Sequence, residues 1–136
     1  MREIFSVASS QREELVDITE QVRTVVERSG VKEGVVAVYV QGATAALMIQ
    51  ENWDNSVPLD VVNFLRKLIP KGVWLHDQQD GNGDSHLKAG LVGPSETIPI
   101  IEGVLGLSRW QNLFMCEFDG PRSKRDIVCT VIDSAP

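Results

Sequence analysis

The sequence predicts an α+β fold, a β-sandwich of about seven strands in two sheets with two helices, in the order ββαββαβββ. Two observations predict it. Short runs of β-branched and apolar residues, bounded by turn residues, recur along the 136 residues, whereas only two stretches carry apolar residues at helical spacing. The strands also fall in pairs and a triplet around those helices, which rules out a regular βαβ alternation and favours a mixed or antiparallel sheet system. A sandwich is the simplest closure for a chain of this length.

The elements follow in order. Arg2 to Ala8 and Glu14 to Ile18 read as short strands joined by a turn at Ser9, Ser10 and Gln11. Thr19 to Ser29 is a helix: Ile18, Val22, Val25 and Val26 recur on one face, Asp17 or Thr19 can cap the start, and Gly30 supplies a left-handed stop. The run Val35 to Val40 suits a central strand buried on both faces or at an interface. Ala43 to Gln50 is the next strand, and Pro58 then opens a helix to about Ile69 with Val61, Val62, Leu65 and Leu68 on its apolar side. Asp77 to Ser85 is polar or glycine throughout and reads as the longest loop, flanked by His76 and His86. The last third holds the strands Thr97 to Ile101, Leu113 to Phe118 and Ile127 to Ile132.

Composition narrows the function. With 43% hydrophobic residues the chain can bury one core, so one domain over 1–136 is expected. A net charge of −6 argues against nucleic acid or an anionic membrane as the main partner, since both reward clustered Lys and Arg. The apolar runs fall well short of the roughly 20 residues that span a bilayer, and the N-terminus lacks a signal-peptide core, so a cytoplasmic protein is expected. Cys116 and Cys129 match no zinc spacing and read as buried free thiols. Were their segments to pair as a hairpin about Asp119 to Ser123, the two would lie nearly opposite each other.

The candidate chemistry centres on the loop between the histidines. A calcium loop fails there, because the glycine falls one place early and no terminal Glu follows. A dinucleotide fingerprint fails because Gly81 and Gly83 lack a third glycine and a strand before them. What survives is a metal or phosphate site between imidazoles converging from the loop's two ends, set against a solvated loop. Acidification distinguishes the ligands: a metal needs neutral imidazoles and is released, whereas a phosphate is held more tightly by imidazolium. The turn Asp119 to Arg125 carries Arg122, Lys124 and Arg125 and reads as a solvated tip or a phosphate contact. Glu51 and Asn52 end a strand, where they can face a pocket or only solvent.

The stretches ATAALMIQEN, GNGDSHLKAGLVGPSETIPI and WQNLFMCEFDGPR resemble successive hallmarks of the YjbQ family, in order and spacing, from about Asp17 to the end. The resemblance implies a two-sheet sandwich that trimerises about a threefold axis, a homotrimer acting on a small phosphorylated metabolite. It further implies a weak thiamine-phosphate synthase activity, the joining of a pyrimidine pyrophosphate to a thiazole phosphate. It implies a divalent metal, zinc or magnesium, on three histidines. Two correspond to His76 and His86, but the first, which opens a His-Thr-Thr/Ser-Ala motif, is Gly42 here. Gly42→His is accordingly expected to restore zinc affinity. Thr44, Asn52, Ser95, Trp110, Gln111 and Arg122 match pocket positions, and Glu51 and Glu117 match carboxylates that would assist a metal or a proton. The alternatives are a metabolite-binding oligomer without turnover and a purely structural one.

Overall fold

In the computed structural model, which describes residues 1–135, the chain forms β1 (Arg2–Val7), β2 (Glu14–Asp17), α1 (Thr19–Ser29), β3 (Gly34–Val40), β4 (Ala45–Gln50) and α2 (Ser56–Leu68). A 3-10 turn at Leu75–Gln78 then precedes α3 (Gly83–Val92), β5 (Ser95–Ile101), β6 (Val104–Leu105), β7 (Asn112–Glu117) and β8 (Arg125–Asp133). Every strand pair is antiparallel. One sheet has the order β1-β8-β3-β5-β6 and the other β2-β7-β4. The β-branched run beginning at Val35 is thus central, as its composition predicts. It is buried on one face only: Val36, Val38 and Val40 point into the core, while Tyr39 is exposed.

The smaller sheet is the middle layer. Along β4, Ala45 and Leu47 join Val36, Val38, Ile98, Ile127 and Val131 in the main core against the larger sheet, which α1 closes with Val22, Val25 and Val26. Ala46 and Met48 point the other way, into a second apolar cluster with Leu65 of α2, Ala89 of α3, Cys116 and Phe118. A strand buried on both faces reads as a nearly continuous apolar run, which is what Leu113 to Cys116 shows.

Three expectations are corrected. The segment expected as a loop from Asp77 to Ser85 holds the end of the 3-10 turn and the first residues of α3, so the described residues contain three α-helices, not two. Periodicity could not find α3 because its inward face is polar. Asp84, Ser85, Lys88 and Ala89 are buried, whereas Leu87 and Leu91 face outward. Among the described residues eight strands form rather than about seven, the addition being the two-residue β6, reached through the left-handed pair Glu102 and Gly103. Finally, β7 and β8 do not form a hairpin. They lie in different sheets, so Cys116 sits opposite Leu15 and Ala46, and Cys129 opposite Glu3 and Val38.

Candidate functional site

The two histidines meet. Their ring centroids are 4.8 Å apart with the planes at 88°, edge to face. Asp77 builds this arrangement: one carboxylate oxygen accepts the Trp74 backbone N–H at 3.0 Å and the other the Gly83 N–H at 2.8 Å. Those hydrogen bonds, Trp74 first, hold the Asp77 carboxyl below its ordinary range. The carboxylate therefore ties the 3-10 turn that carries His76 to the first turn of α3, which carries His86. Gly83 is needed at this contact, because a Cβ there would lie 2.7 Å from that of Trp74. His76 Nε2 also approaches the Asp80 carboxylate at 3.3 Å.

Further donors anchor the same segment to the end of β7. Asn82 Nδ2 donates to Asp119 at 2.8 Å, and Ser85 Oγ donates to the Phe118 carbonyl. Asp119 also accepts from Arg122 at 2.9 Å, so Arg122 stands beside the start of α3 with its guanidinium already engaged.

Glu117 lies behind this corner and is fully buried. It accepts from Ser9 Oγ at 2.8 Å, from the Asp119 N–H at 3.0 Å, and from both Nε and Nη2 of Arg125. Burial alone would raise its pKa, but the hydrogen bonds from Arg125, Ser9 and Asp119 and the Arg125 charge outweigh that and hold it low. A carboxylate with four donors is a fixed anion, not a proton carrier. Thr44 serves the same pair, its Oγ1 accepting from Arg125 Nη2 at 2.8 Å. Its sequence neighbours suggest a turn tip, but Arg125 opens β8 and is only 6% exposed.

A second buried network leaves no clear mark in the sequence. Asp84 accepts from Lys88 Nζ at 2.7 Å and from Arg12 at 3.0 and 3.2 Å, and Glu13 accepts from Arg12, Lys88 and Arg66. Desolvation opposes the Asp84 charge, yet Arg12 and Lys88 keep its pKa below the ordinary value. The one available signal was the Asp84 to Lys88 spacing of four, which means something only once the segment is known to be a helix.

The remaining expected residues lie elsewhere. In the register of β4 and β7, Ala45 faces Glu117 at one end and Gln50 faces Asn112 at the other, a separation of roughly 17 Å along the strand. Glu51, Asn52, Trp110 and Gln111 are at this far end. There Asn52 and Asn112 both donate to Asp17, Gln111 Oε1 accepts the Ser108 N–H, and Trp110 meets Trp53 edge-on at 5.1 Å under the Arg109 guanidinium. The proposed carboxylate pair, Glu51 and Glu117, is therefore not brought together. Ser95 opens β5 opposite Tyr39, on the histidine side of the molecule.

On that side lies an open cavity of about 410 Å³, bounded by Tyr39, Gly42, Ala43, His86, Gly90 and Pro94 among others. The position expected to lack a histidine is thus on the same wall system as His86. The residues do not fit a three-ligand metal centre. Among the described residues no group of three His, Cys, Asp or Glu side chains converges, and Gly42 offers none. A Cβ at position 42 would lie 2.7 Å from Arg125 Nη1, so an imidazole added there must first displace a guanidinium, a group that repels cations.

Comparison with known proteins agrees with this architecture. Residues 3–134 match the family described as UPF0047 protein YjbQ-like. A UPF0047 protein of Methanocaldococcus jannaschii is 43% identical over 129 residues, covering 95% of this chain and 93% of its own. The crystal structure of a YbjQ-like protein from Sulfolobus solfataricus P2 superposes with a TM-score of 0.95 at 34% identity, covering 98% of this chain and 97% of its own. A hypothetical protein from Aeropyrum pernix K1 gives 0.93 at 32% identity, covering 98% and 99%. With a family match across nearly its whole length and relatives above 30% identity on the same fold, the chain belongs to the UPF0047 family of YjbQ-like proteins.

Proposed function

We propose that this protein, as a homotrimer, binds a small phosphorylated metabolite in the cavity between Gly42 and His86. On this reading, a transfer of the thiamine-phosphate-synthase kind would use the same cavity. The observation that carries the reading is His86, its ring packed against that of His76, on the wall of a cavity whose size suits a small ligand, about 410 Å³ against a usual range of roughly 300–1,000 Å³. Imidazoles can donate N–H to phosphate oxygens and gain attraction when protonated, whereas the same pair lacks a third protein ligand for a metal. Glu117 would act only by holding Arg125, and Glu51, at the opposite end of β4, takes no part.

The test is thermal unfolding with inorganic phosphate, a thiazole phosphate and a pyrimidine pyrophosphate, followed by an assay for thiamine phosphate. Phosphorylated compounds should raise the melting temperature of the native chain and not that of His86→Ala. Product would make the protein a transferase, and protection without product a binding protein. Absence of protection by all three compounds would overturn the reading.

A further inference from the structure

We infer that Gly42 is a window through which the buried guanidinium of Arg125 grips the ligand's phosphate, an inference that rests on the phosphorylated-ligand reading above. Arginine carries five N–H donors. In Arg125, Nε donates to Glu117 at 3.0 Å, and Nη2 is shared between Glu117 and Thr44 Oγ1, the latter at 2.8 Å. The two N–H groups of Nη1 find no acceptor among the described residues. Nη1 is not fully enclosed either, so this nitrogen holds part of the residue's 6% exposure.

Its direction is set by Gly42. A Cβ built there would stand 2.7 Å from Nη1, 3.6 Å from Cζ and 3.7 Å from Cδ, so every residue but glycine would cover or push aside that end of the guanidinium. Gly42, Ala43 and His86 bound the same cavity, so the unpartnered Nη1 stands directly behind a wall that this imidazole shares.

The chemistry selects an oxyanion. A guanidinium has no acceptor to offer, and its fork is already fixed on two sides by Glu117 and Thr44, so little side-chain freedom is lost when the third side binds. Because Glu117 offsets the Arg125 charge, recognition depends on directed N–H donors more than on net charge. This suits a phosphate monoester, which can take Nη1 on one oxygen and His86 on another.

The experiment uses the full chain with ¹⁵N-labelled arginine and inorganic phosphate as the probe. Phosphate should shift the Arg125 side-chain resonance saturably, and Gly42→Ala should raise the dissociation constant by about tenfold or more, the loss of one charge-assisted hydrogen bond. If Gly42→Ala binds phosphate as tightly as the native chain while His86→Ala does not, the window is wrong and the cavity reading stands. If the native chain binds no phosphate, both fall. Should Gly42→Ala not fold, the native spectrum decides alone, since an Arg125 resonance unmoved at saturating phosphate overturns the inference.

Discussion

The two ends of the three-stranded sheet carry side chains of the same kinds, carboxylate, amide and arginine, yet they are built in opposite ways. At the β7 terminus Glu117, Arg125, Thr44 and Ser9 are buried and interlocked, and α3 covers them with its own buried ions. At the β4 terminus Trp53 is 69% and Trp110 47% exposed, and Asn52 and Asn112 grasp a partly exposed Asp17. Water explains the difference. A buried polar group must find its partners within the protein, so one end is rigid and specific, whereas the other can exchange each contact for solvent at little cost.

The largest effect should come from breaking the closed end. Glu117→Ala leaves Arg125 buried without a counter-ion and should cost about 3–5 kcal/mol in urea unfolding, whereas Glu51→Ala at the open end should change stability by no more than about 0.5 kcal/mol. Comparable losses would show that the two ends do not differ as described.

Acid should separate the ends next. Glu117 and Asp84 have pKa values lowered in the folded state, so their contribution is present above the ordinary carboxylate range and is lost as pH falls through the folded values. Asp17 is also lowered: burial opposes its charge, but Thr19, Asn52 and Asn112 outweigh it. Stability should fall as pH drops below about 4, and Glu117→Gln should flatten that fall more than Asp17→Asn. Unfolding free energy measured from pH 7 to pH 3 in the three proteins checks the order.

Assembly would sharpen the comparison by covering surface at either end. We expect a homotrimer, to which exposed apolar side chains such as Leu75, Leu91, Phe64 and Trp53 lend support. Light scattering at micromolar concentration checks this, and a monomer would remove the proposal. A smaller effect is expected from Trp53→Ala, which should cost at most about 1 kcal/mol by loss of the edge contact with Trp110. The smallest concerns the thiols. Burial, with a minor contribution from Glu96 and Glu3 respectively, pushes Cys116 and Cys129 up to about 12, so neither should react with a thiol reagent before unfolding. Prompt labelling of Cys116 would contradict the sealed second core.

Much of the fold was legible because burial leaves a period. The valines of α1, the alternation in β8 and the continuous run in β7 each record which faces meet apolar neighbours. The family, and the pairing of His76 with His86 as loop ends, could likewise be argued from residues and their spacing. Hydrophobic spacing carries no trace of a helix whose inward face is Asp84, Ser85 and Lys88, because those residues are buried by mutual charge and hydrogen bonding rather than by transfer from water. Nor can spacing tell that Arg125 leaves the basic turn for the interior, or that its third side faces Gly42. Those contacts join residues 81 to 83 positions apart through two different sheets, and only the packing of the sheets determines them.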